Sequence, residues 1–400
     1  MNMKTGIQVA FAVTAGIIAQ VAVGQPTSGS VSCFGLGQGT NESQYDFGQS
    51  VVPKWMGPCT AVAAGGFHTV AIRVGGAIHA WGANYYGQLG VPGDAMPASK
   101  IVCGVNHTVA LTTAGHVAAW GMNIQGQSAV PPDLGACIEI GAGGIHSLAV
   151  RSSGQIQGWG FNMNGQAVPP ADLGPAVAVA GMYLASAALL ADGTIRVWGS
   201  APPVLDAGPF ASITATAWSD RIYAIRQDGS VASNYPYEWS LPPSGSGPFR
   251  QIHSYSGHTL GIELDGDLVV WGGGGYGQSD IPQNVCEGIM VAAGFGHSVV
   301  LFQDIDGDLV CDIKDACPSI VGPMNVGRPE CNGCPWAASP DCLVAFGDLN
   351  ADYQVDGGDL GIMLSIWGPA SPGGLGNLNG DSIVDGADLG ILLSRWGPVT

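Results

Sequence analysis

Basic side chains are nearly missing from this 400-residue sequence: 12 Lys and Arg stand against 30 Asp and Glu, a formal net charge of −18. So few cations give no footing to a phosphate backbone or an anionic bilayer, which excludes nucleic acid and lipid headgroups as partners. Past residue 24 no apolar run is long enough to span a membrane. Histidine stops at His297, so a zinc site at Cys331-x-x-Cys334 would have no imidazole after it. The run Gly272 to Gly275 precedes neither a Lys nor a helical pattern and reads as a loop, not a nucleotide site. No nucleophile–base pair, paired carboxylate or phosphate loop recurs along the chain.

Glycine is abundant, with 64 residues, and many of the 11 tryptophans sit in Trp-Gly pairs, which points to tight turns and closely packed sheets. A hydrophobic share of 46% is ample for a core. At the N-terminus Lys4 precedes an apolar run from Ile7 to Val23 that ends in Ala22-Val23-Gly24. That pattern predicts a signal peptide over 1–24, cleaved before Gln25, and a secreted, extracellular or cell-surface protein with no span after cleavage. The rival, an uncleaved anchor helix, would be barely long enough and has no basic cluster after it. In such a compartment the ten cysteines read as disulfides of undetermined pairing. Five lie at Cys33, Cys59, Cys103, Cys137 and Cys286, and five crowd between Cys311 and Cys342. The charge is uneven, −7 over residues 1–303 and −11 over 304–400. An acidic C-terminal quarter calls for cations.

Self-similarity organises residues 31–303. Three segments align without gaps: GGFHTVAIRVGGAIHAWGANYYGQLGVP, GVNHTVALTTAGHVAAWGMNIQGQSAVP and GGIHSLAVRSSGQIQGWGFNMNGQAVPP. Their Trp81, Trp120 and Trp159 are 39 residues apart, Trp198 continues the spacing, Tyr235 marks a degenerate unit, and Trp271 follows. Alternating short strands around Gly turns, in units of roughly 40 residues, predict one four-stranded propeller blade per unit. A strand start at 291–302 lacks its Trp-Gly end, while Val31-Ser32-Cys33-Phe34-Gly35 is an end without a start. Together they make one blade, so the fold class is all-β, a seven-bladed propeller closed by the N-terminal strand.

The pattern A-x-A-x-G-x-x-H-[ST]-x-A followed by A-W-G-x-N-x-x-G-Q resembles the repeat of the regulator of chromosome condensation family. It is most similar to the secreted bacterial form that builds β-lactamase inhibitory protein type II. The resemblance implies a propeller over 25–303 and, by analogy with the secreted relatives, a rim that grips a protein. The repeated His68, His107, His146, His258 and His297 and the tryptophans read as core, one per blade, since a ring of single imidazoles does not converge on one ion. The Asn-x-x-Gly-Gln turns read as loop-fixing.

Three windows space oxygens as calcium loops do, at positions 1, 3, 5, 7 (through the carbonyl), 9 and 12. The first is Asp304, Asp306, Asp308, Val310, Asp312 and Asp315; with Ala316-Cys317-Pro318 it resembles a thrombospondin type 3 repeat. The second is Asp348, Asn350, Asp352, Gln354, Asp356 and Asp359, and the third Asn377, Asn379, Asp381, Ile383, Asp385 and Asp388. The runs DLGIMLSIWG and DLGILLSRWG follow them, 29 residues apart. That duplication resembles a type I dockerin, an EF-hand-like calcium module with short α-helices. It implies a calcium-binding tail over 347–400, joined through a Cys-rich linker over 304–346, with a cohesin-like or cell-surface partner. Gly357-Gly358 and Gly386-Ala387 stand where dockerins recognise cohesin and offer almost no side chain.

The function this favours is a secreted, non-enzymatic binding protein whose rim recognises a protein or glycan and whose calcium-dependent tail attaches it. The alternative is a polysaccharide hydrolase or lyase delivered by the tail. Its acids would be sought among the non-repeating Tyr183, Trp218, Asp220, Arg221, Tyr223, Tyr235, Tyr237, Glu238 and Trp239.

Overall fold

The computed structural model describes residues 28–39, 43–200, 208–235, 240–285 and 287–304, Leu205, and short pieces between 354 and 398. The expected signal peptide, Cys286 and the cysteines of 311–342 lie outside them. The chain divides into two compact units. One comprises Met1–Ser28, Cys33–Ile281 and Ile289–Leu301; the other comprises Gly29–Ser32, Pro282–Gly288 and Phe302–Thr400.

Seven three-stranded sheets follow one another. After β1 (Ser30–Gly35), the first is β2 (Cys59–Ala64), β3 (His68–Arg73) and β4 (Ile78–Gly82), and the second β5 (Ala98–Cys103), β6 (His107–Thr112) and β7 (Val117–Gly121). Next come β8 (Cys137–Ala142), β9 (His146–Arg151) and β10 (Ile156–Gly160), then β11 (Ala176–Gly181), β12 (Ala185–Leu190) and β13 (Ile195–Gly199). The fifth is β14 (Phe210–Ala215), β15 (Ile222–Arg226) and β16 (Val231–Ser233), and the sixth β17 (Phe249–Ser254), β18 (His258–Glu263) and β19 (Leu268–Gly272). The seventh joins the chain's beginning to β20 (Gly288–Ala293) and β21 (His297–Phe302), in the order β1-β21-β20. The first strands of neighbouring sheets touch, so those strands lie innermost.

Each blade has three strands where the repeat length suggested four. After Trp-Gly the chain spends its residues on turns and prolines: Leu134 N–H donates to the carbonyl of Pro131 at 3.1 Å and Leu173 N–H to that of Pro170 at 3.2 Å. Proline has no N–H to give a ladder, so this stretch wraps the blade as a loop.

The middle strands are buried almost end to end. Each tryptophan packs against the preceding blade: Trp120 sits with Val70 and Ile72, Trp159 with Val109 and Leu111, Trp198 with Leu148 and Val150. The indole N–H is satisfied there, donating to the carbonyl of a turn glutamine 32 residues earlier: Trp81 to Gln49 (3.0 Å), Trp120 to Gln88 (2.8 Å), Trp159 to Gln127 (2.9 Å) and Trp198 to Gln166 (2.9 Å). The same glutamines fix their own turns, Gln88 Oε1 accepting from Tyr86 N–H and Asn84 Oδ1 from Leu89 N–H.

The repeated histidines latch blade to blade. Nε2 of His68 meets Thr108 Oγ1, His107 meets Ser147, His258 meets Ser298, each at 3.0 Å, and His146 meets Ser186 at 2.7 Å. His297 meets Thr69 at 3.0 Å. Thr69, Ser147, Ser186 and Ser298 spend their hydroxyl protons on the carbonyls of Gln49, Gln127, Gln166 and Gln278, at 2.7–2.9 Å. Those hydroxyls can then only accept from the imidazole, which fixes its hydrogen on Nε2 in His297, His107, His146 and His258. Nδ1 is buried without a hydrogen-bond partner in all five. The histidines are core, as expected, though only half satisfied.

A glycine three residues ahead is the seat of four of the five imidazoles, His258 having Tyr255 there: a Cβ at Gly65, Gly104, Gly143 or Gly294 would stand 2.0–2.2 Å from the histidine Cε1. In the fourth blade the pair is exchanged together. Ala185 replaces the imidazole, Met182 replaces the glycine, and both are fully buried. Blade five has Ile222 in place of His and Ser219 in place of Gly, so neither blade carries a latch forward.

The expected disulfides are absent from four positions: Cys33, Cys59, Cys103 and Cys137 are free thiols. The repeat sets Cys59, Cys103 and Cys137 on first strands of three different blades, and each turns to a local acceptor. Cys59 Sγ lies 3.4 Å from the Gly57 carbonyl, Cys137 Sγ 3.6 Å from that of Gly135, and Cys103 Sγ 3.7 Å from Thr108 Oγ1. Burial pushes the Cys59 thiol up to about 11 and Cys103 to about 12, so neither is a ready thiolate.

In the second unit, α1 (Gly357–Ser365) follows β22 (Gln354–Val355), and β23 (Gly368–Pro369), β24 (Ile383–Val384) and β25 (Gly397–Pro398) complete the described pieces. β22 pairs with β25 and β23 with β24. A shift of 29 residues carries one pairing onto the other, so each repeat's loop strand is bound to the segment that ends the other repeat. Met363 and its counterpart Leu392 are both fully buried.

Candidate functional site

The short loops between first and middle strands gather at one end of the innermost strands. Backbone bonds pass from blade to blade there: Phe295 N–H to Gly66 O (3.1 Å), Gly66 N–H to Val105 O (2.9 Å), Val105 N–H to Gly144 O (3.3 Å) and Gly144 N–H to Met182 O (3.0 Å). Blade five departs from this pattern with a longer loop. Thr216 Oγ1 donates to Ser219 O at 2.8 Å and Thr216 N–H to Arg221 O at 3.0 Å, a turn that projects Trp218. The loop reaches blade three, since a Cβ on Gly144 would stand 2.7 Å from the Ala217 carbonyl and 2.8 Å from the Tyr183 ring.

Around Trp218, 49% exposed, eight aromatic rings form one continuous cluster. Trp218 lies 6.1 Å from Tyr183 and 6.2 Å from Phe295. Phe295 meets Phe67 at 5.2 Å, Tyr45 at 6.2 Å and Tyr276 at 6.4 Å. Tyr45 stacks on Phe67 at 5.5 Å, Phe47 stands edge-on to Phe67 at 5.6 Å, and Tyr85 edge-on to Phe47 at 5.4 Å. The turn carrying Tyr45 and Phe47 is tied down by Asp46 Oδ1, which accepts from Gly48 and Gly39 N–H at 3.1 Å, and by Gln49 Nε2, which donates to Tyr45 O at 3.0 Å. A pocket of about 170 Å³ opens among Tyr45, Phe67, Trp218 and Phe295, with Gly66, Val105 and Tyr255 completing its walls.

The polar residues singled out in the irregular blades do scaffold work. Asp220 Oδ1 accepts from Leu184 N–H at 2.8 Å. Arg221 stacks over the Tyr235 ring at 5.6 Å and donates to the Tyr223 hydroxyl at 3.3 Å. Tyr223 is buried in a cluster with Ile225, Phe249 and Trp271. Only Tyr183 and Trp218 of that set join the aromatic bowl; Tyr237, Glu238 and Trp239 lie outside the described residues. Sequence reading missed Tyr45, Phe47, Phe67, Tyr85, Tyr276 and Phe295. The signal was there in Phe67 and Phe295, aromatics one and two places ahead of a latch histidine where other repeats carry Asn106, Ile145 or Gly144.

Of the expected calcium ligands, five fall on described residues, Asp359 in the first turn of α1 among them. Asp304 is buried just after β21, Gln354 and Ile383 sit in β22 and β24, and the Asp385 carbonyl accepts from Leu389 N–H at 3.1 Å. The other thirteen lie outside the described residues. Among the described residues, one further trio of carboxylates, Glu263, Asp265 and Asp267, clusters in the turn after β18. Two of its members are engaged by that region's backbone, Glu263 Oε1 by Gly247 N–H at 2.5 Å and Asp265 Oδ1 by Asp267 N–H at 3.2 Å.

Residues 59–88 and 98–127, the first two blades through their glutamine turns, match the family model described as "Regulator of chromosome condensation (RCC1) repeat". These two blades carry RCC1 repeats. Solved structures share the fold: Prp20p from Saccharomyces cerevisiae is 16% identical with a TM-score of 0.55, over 71% of this chain and 94% of that one. Yeast RCC1 (Prp20) bound to Kap60 is 18% identical at 0.54, over 69% and 90%. Human WBSCR16 is 18% identical at 0.54, over 68% and 98%. No curated protein matches in sequence.

Proposed function

We propose that this chain is an exported, non-enzymatic binding protein that grips a protein partner in the aromatic bowl of a closed seven-bladed RCC1-type ring. The bowl carries this reading. Clustered, half-exposed Tyr, Trp and Phe on a braced backbone are the residues that dominate protein interfaces, because they bury large area at little entropic cost. The sheet shared by β1, β21 and β20 supports ring closure. Among the structural neighbours, Prp20p is described with its binding to Gsp1p and histones, and yeast RCC1 as bound to Kap60, which favours protein as the partner class. The chain's own charge of −18 argues against an acidic one.

Immobilised wild-type protein, presented with extracellular proteins and a glycan array, is expected to retain a protein. Trp218→Ala and Phe295→Ala should each weaken that complex ~30-fold or more, the scale of an interface hot spot. Retention of glycans alone, or affinity indifferent to both substitutions, would sink the proposal.

The tail is the attachment element, held in shape by calcium in the three loops of Asp304, Asp348 and Asn377 and meeting a cohesin-like or cell-surface partner. The crossed pairing of β22 with β25 and β23 with β24 supports one duplicated module. Calorimetry on the full chain should show calcium bound at roughly 10⁻⁴ M or tighter, as suits extracellular modules. Asp348→Ala combined with Asp381→Ala should remove the two later sites. A flat titration of the wild type refutes the calcium reading.

A further inference from the structure

We infer that the pocket beside Trp218 receives one uncharged ring bearing a single hydrogen-bonding group, presented by the partner as a tyrosine-like anchor side chain. The inference rests on the bowl being the binding face. Size comes first: about 170 Å³ is room for one six-membered ring, close to the cavity that takes up benzene in an engineered apolar core. The walls are the faces and edges of Tyr45, Phe67, Trp218 and Phe295 with the Val105 side chain.

One wall departs from this apolar lining. Tyr255 is 1% exposed and its hydroxyl has no hydrogen-bond partner. An unpaired buried phenol costs free energy that a bound donor or acceptor would recover. Nothing in the blade demands a tyrosine there. Gly65, Gly104, Gly143 and Gly294 hold the same place ahead of their latch histidines. Gly66, in the first blade, leaves room beside the phenol, since a Cβ at that position would stand 3.3 Å from its oxygen.

The chemistry of the walls selects among ligands. A hexose would bury four or five hydroxyls against rings that can answer only one or two of them. No carboxylate lines the pocket, so a cation would find ring faces without a counter-charge. A phenol answers both conditions: its ring stacks against the aromatic walls, and its one hydroxyl pairs with Tyr255.

The test uses the full chain and four probes, p-cresol, toluene, methyl glucoside and choline, with dissociation constants from ligand-observed NMR titration. p-Cresol is expected to bind about ten-fold more tightly than toluene, the worth of one net hydrogen bond. That advantage should vanish in Tyr255→Phe while toluene binding stays, and Trp218→Ala should weaken both. Equal binding of p-cresol and toluene overturns the inference, as does stronger binding of methyl glucoside or choline, or no binding by any probe. Should Tyr255→Phe fail to fold, the p-cresol-to-toluene ratio in the wild type decides alone. If the probes fail while Trp218→Ala still abolishes partner capture, the pocket's ligand is wrong and the binding face stands. If capture survives Trp218→Ala, the face itself is wrong.

Discussion

Acidification from about pH 7 to about pH 5 is expected to strip the propeller of most of its folding stability. Five latch histidines are buried as neutral rings with 0–1% exposure. Desolvation holds His68, His146 and His297 down at about 3, and His107 and His258 at about 4. In the unfolded chain each titrates near 6.5. A base whose folded pKa is depressed contributes stability that is whole above the unfolded value and drains away as pH falls toward the folded one. At pH 5 the unfolded chain binds nearly one extra proton per latch, worth about 2 kcal/mol each. Five such terms come to about 10 kcal/mol, comparable with the whole stability of a domain. Glu139, raised by burial and lowered again by Lys100, works in the opposite sense, as one group against five. Urea unfolding followed by tryptophan fluorescence at several pH values checks this. A midpoint that stays level from pH 7 to pH 4.5 would show that the imidazoles take up protons without opening the latches.

The blades were legible in the sequence because each structural requirement leaves a letter at a fixed offset. The imidazole needs a hydroxyl on the next blade and, in four of the five latches, a glycine three places ahead. The indole N–H needs the glutamine turn. The strand end needs a glycine after the tryptophan. Those constraints are local or recur at the repeat spacing, so counting Trp-Gly ends with their stand-ins at Phe34 and Tyr235 found seven sheets, including the one whose parts lie at opposite ends of the repeat region. The strand number per blade was less legible. Residues such as Val91-Pro92 and Val130-Pro131 look extended, and only the turn hydrogen bonds around them show that no ladder forms. The free thiols were missed for a related reason: compartment predicts oxidation, but pairing needs two sulfurs on one face, and the repeat sends these to separate blades.

The bowl was harder to read, because its members obey no period. Tyr45 and Phe47 come from the turn after β1, Tyr85 and Tyr276 from glutamine turns, Phe67 and Phe295 from latch loops, and Trp218 from a decayed blade. Each alone is an ordinary surface aromatic. The fold brings residues 250 positions apart into ring contact, Tyr45 against Phe295, and a linear reading has no measure of that. Decay was in fact the clue. Loss of the latch at Ala185 and Ile222 frees Tyr183 and the 216–221 loop from the repeat's geometry, and both then serve the bowl.

The Trp-Gly signature makes a second prediction of large size, with its control in the same blade. Gly121 and Gly126 both adopt left-handed backbone, at φ +92° and +82°. Their surroundings differ. A Cβ at Gly121 would stand 2.6 Å from the Asn106 carbonyl oxygen and 3.0 Å from the His107 Cα, whereas one at Gly126 would meet nothing within 4 Å. The atoms opposing Gly121 are backbone, held by the Met122 N–H bond to Asn106 O at 2.8 Å and by the His107–Ser147 latch beside it. They cannot swing aside as a flexible side chain would. Gly126→Ala is therefore expected to cost about 1 kcal/mol, the strain of an alanine at positive φ. Gly121→Ala adds overpacking against a fixed strand and should cost about 3–4 kcal/mol in all. Melting and urea curves of the two variants, recorded near pH 7.5 where the imidazoles are neutral, separate the contributions. Equal losses would mean that conformational strain alone explains the glycine after each tryptophan, and that the neighbouring strand yields. A several-fold larger loss at Gly121 means that closeness between a strand end and the latch loop beside it selects the residue. The second outcome also explains why Trp-Gly recurs at Trp81, Trp120, Trp159, Trp198 and Trp271, in blades that keep the latch histidine and in the fourth, which has lost it.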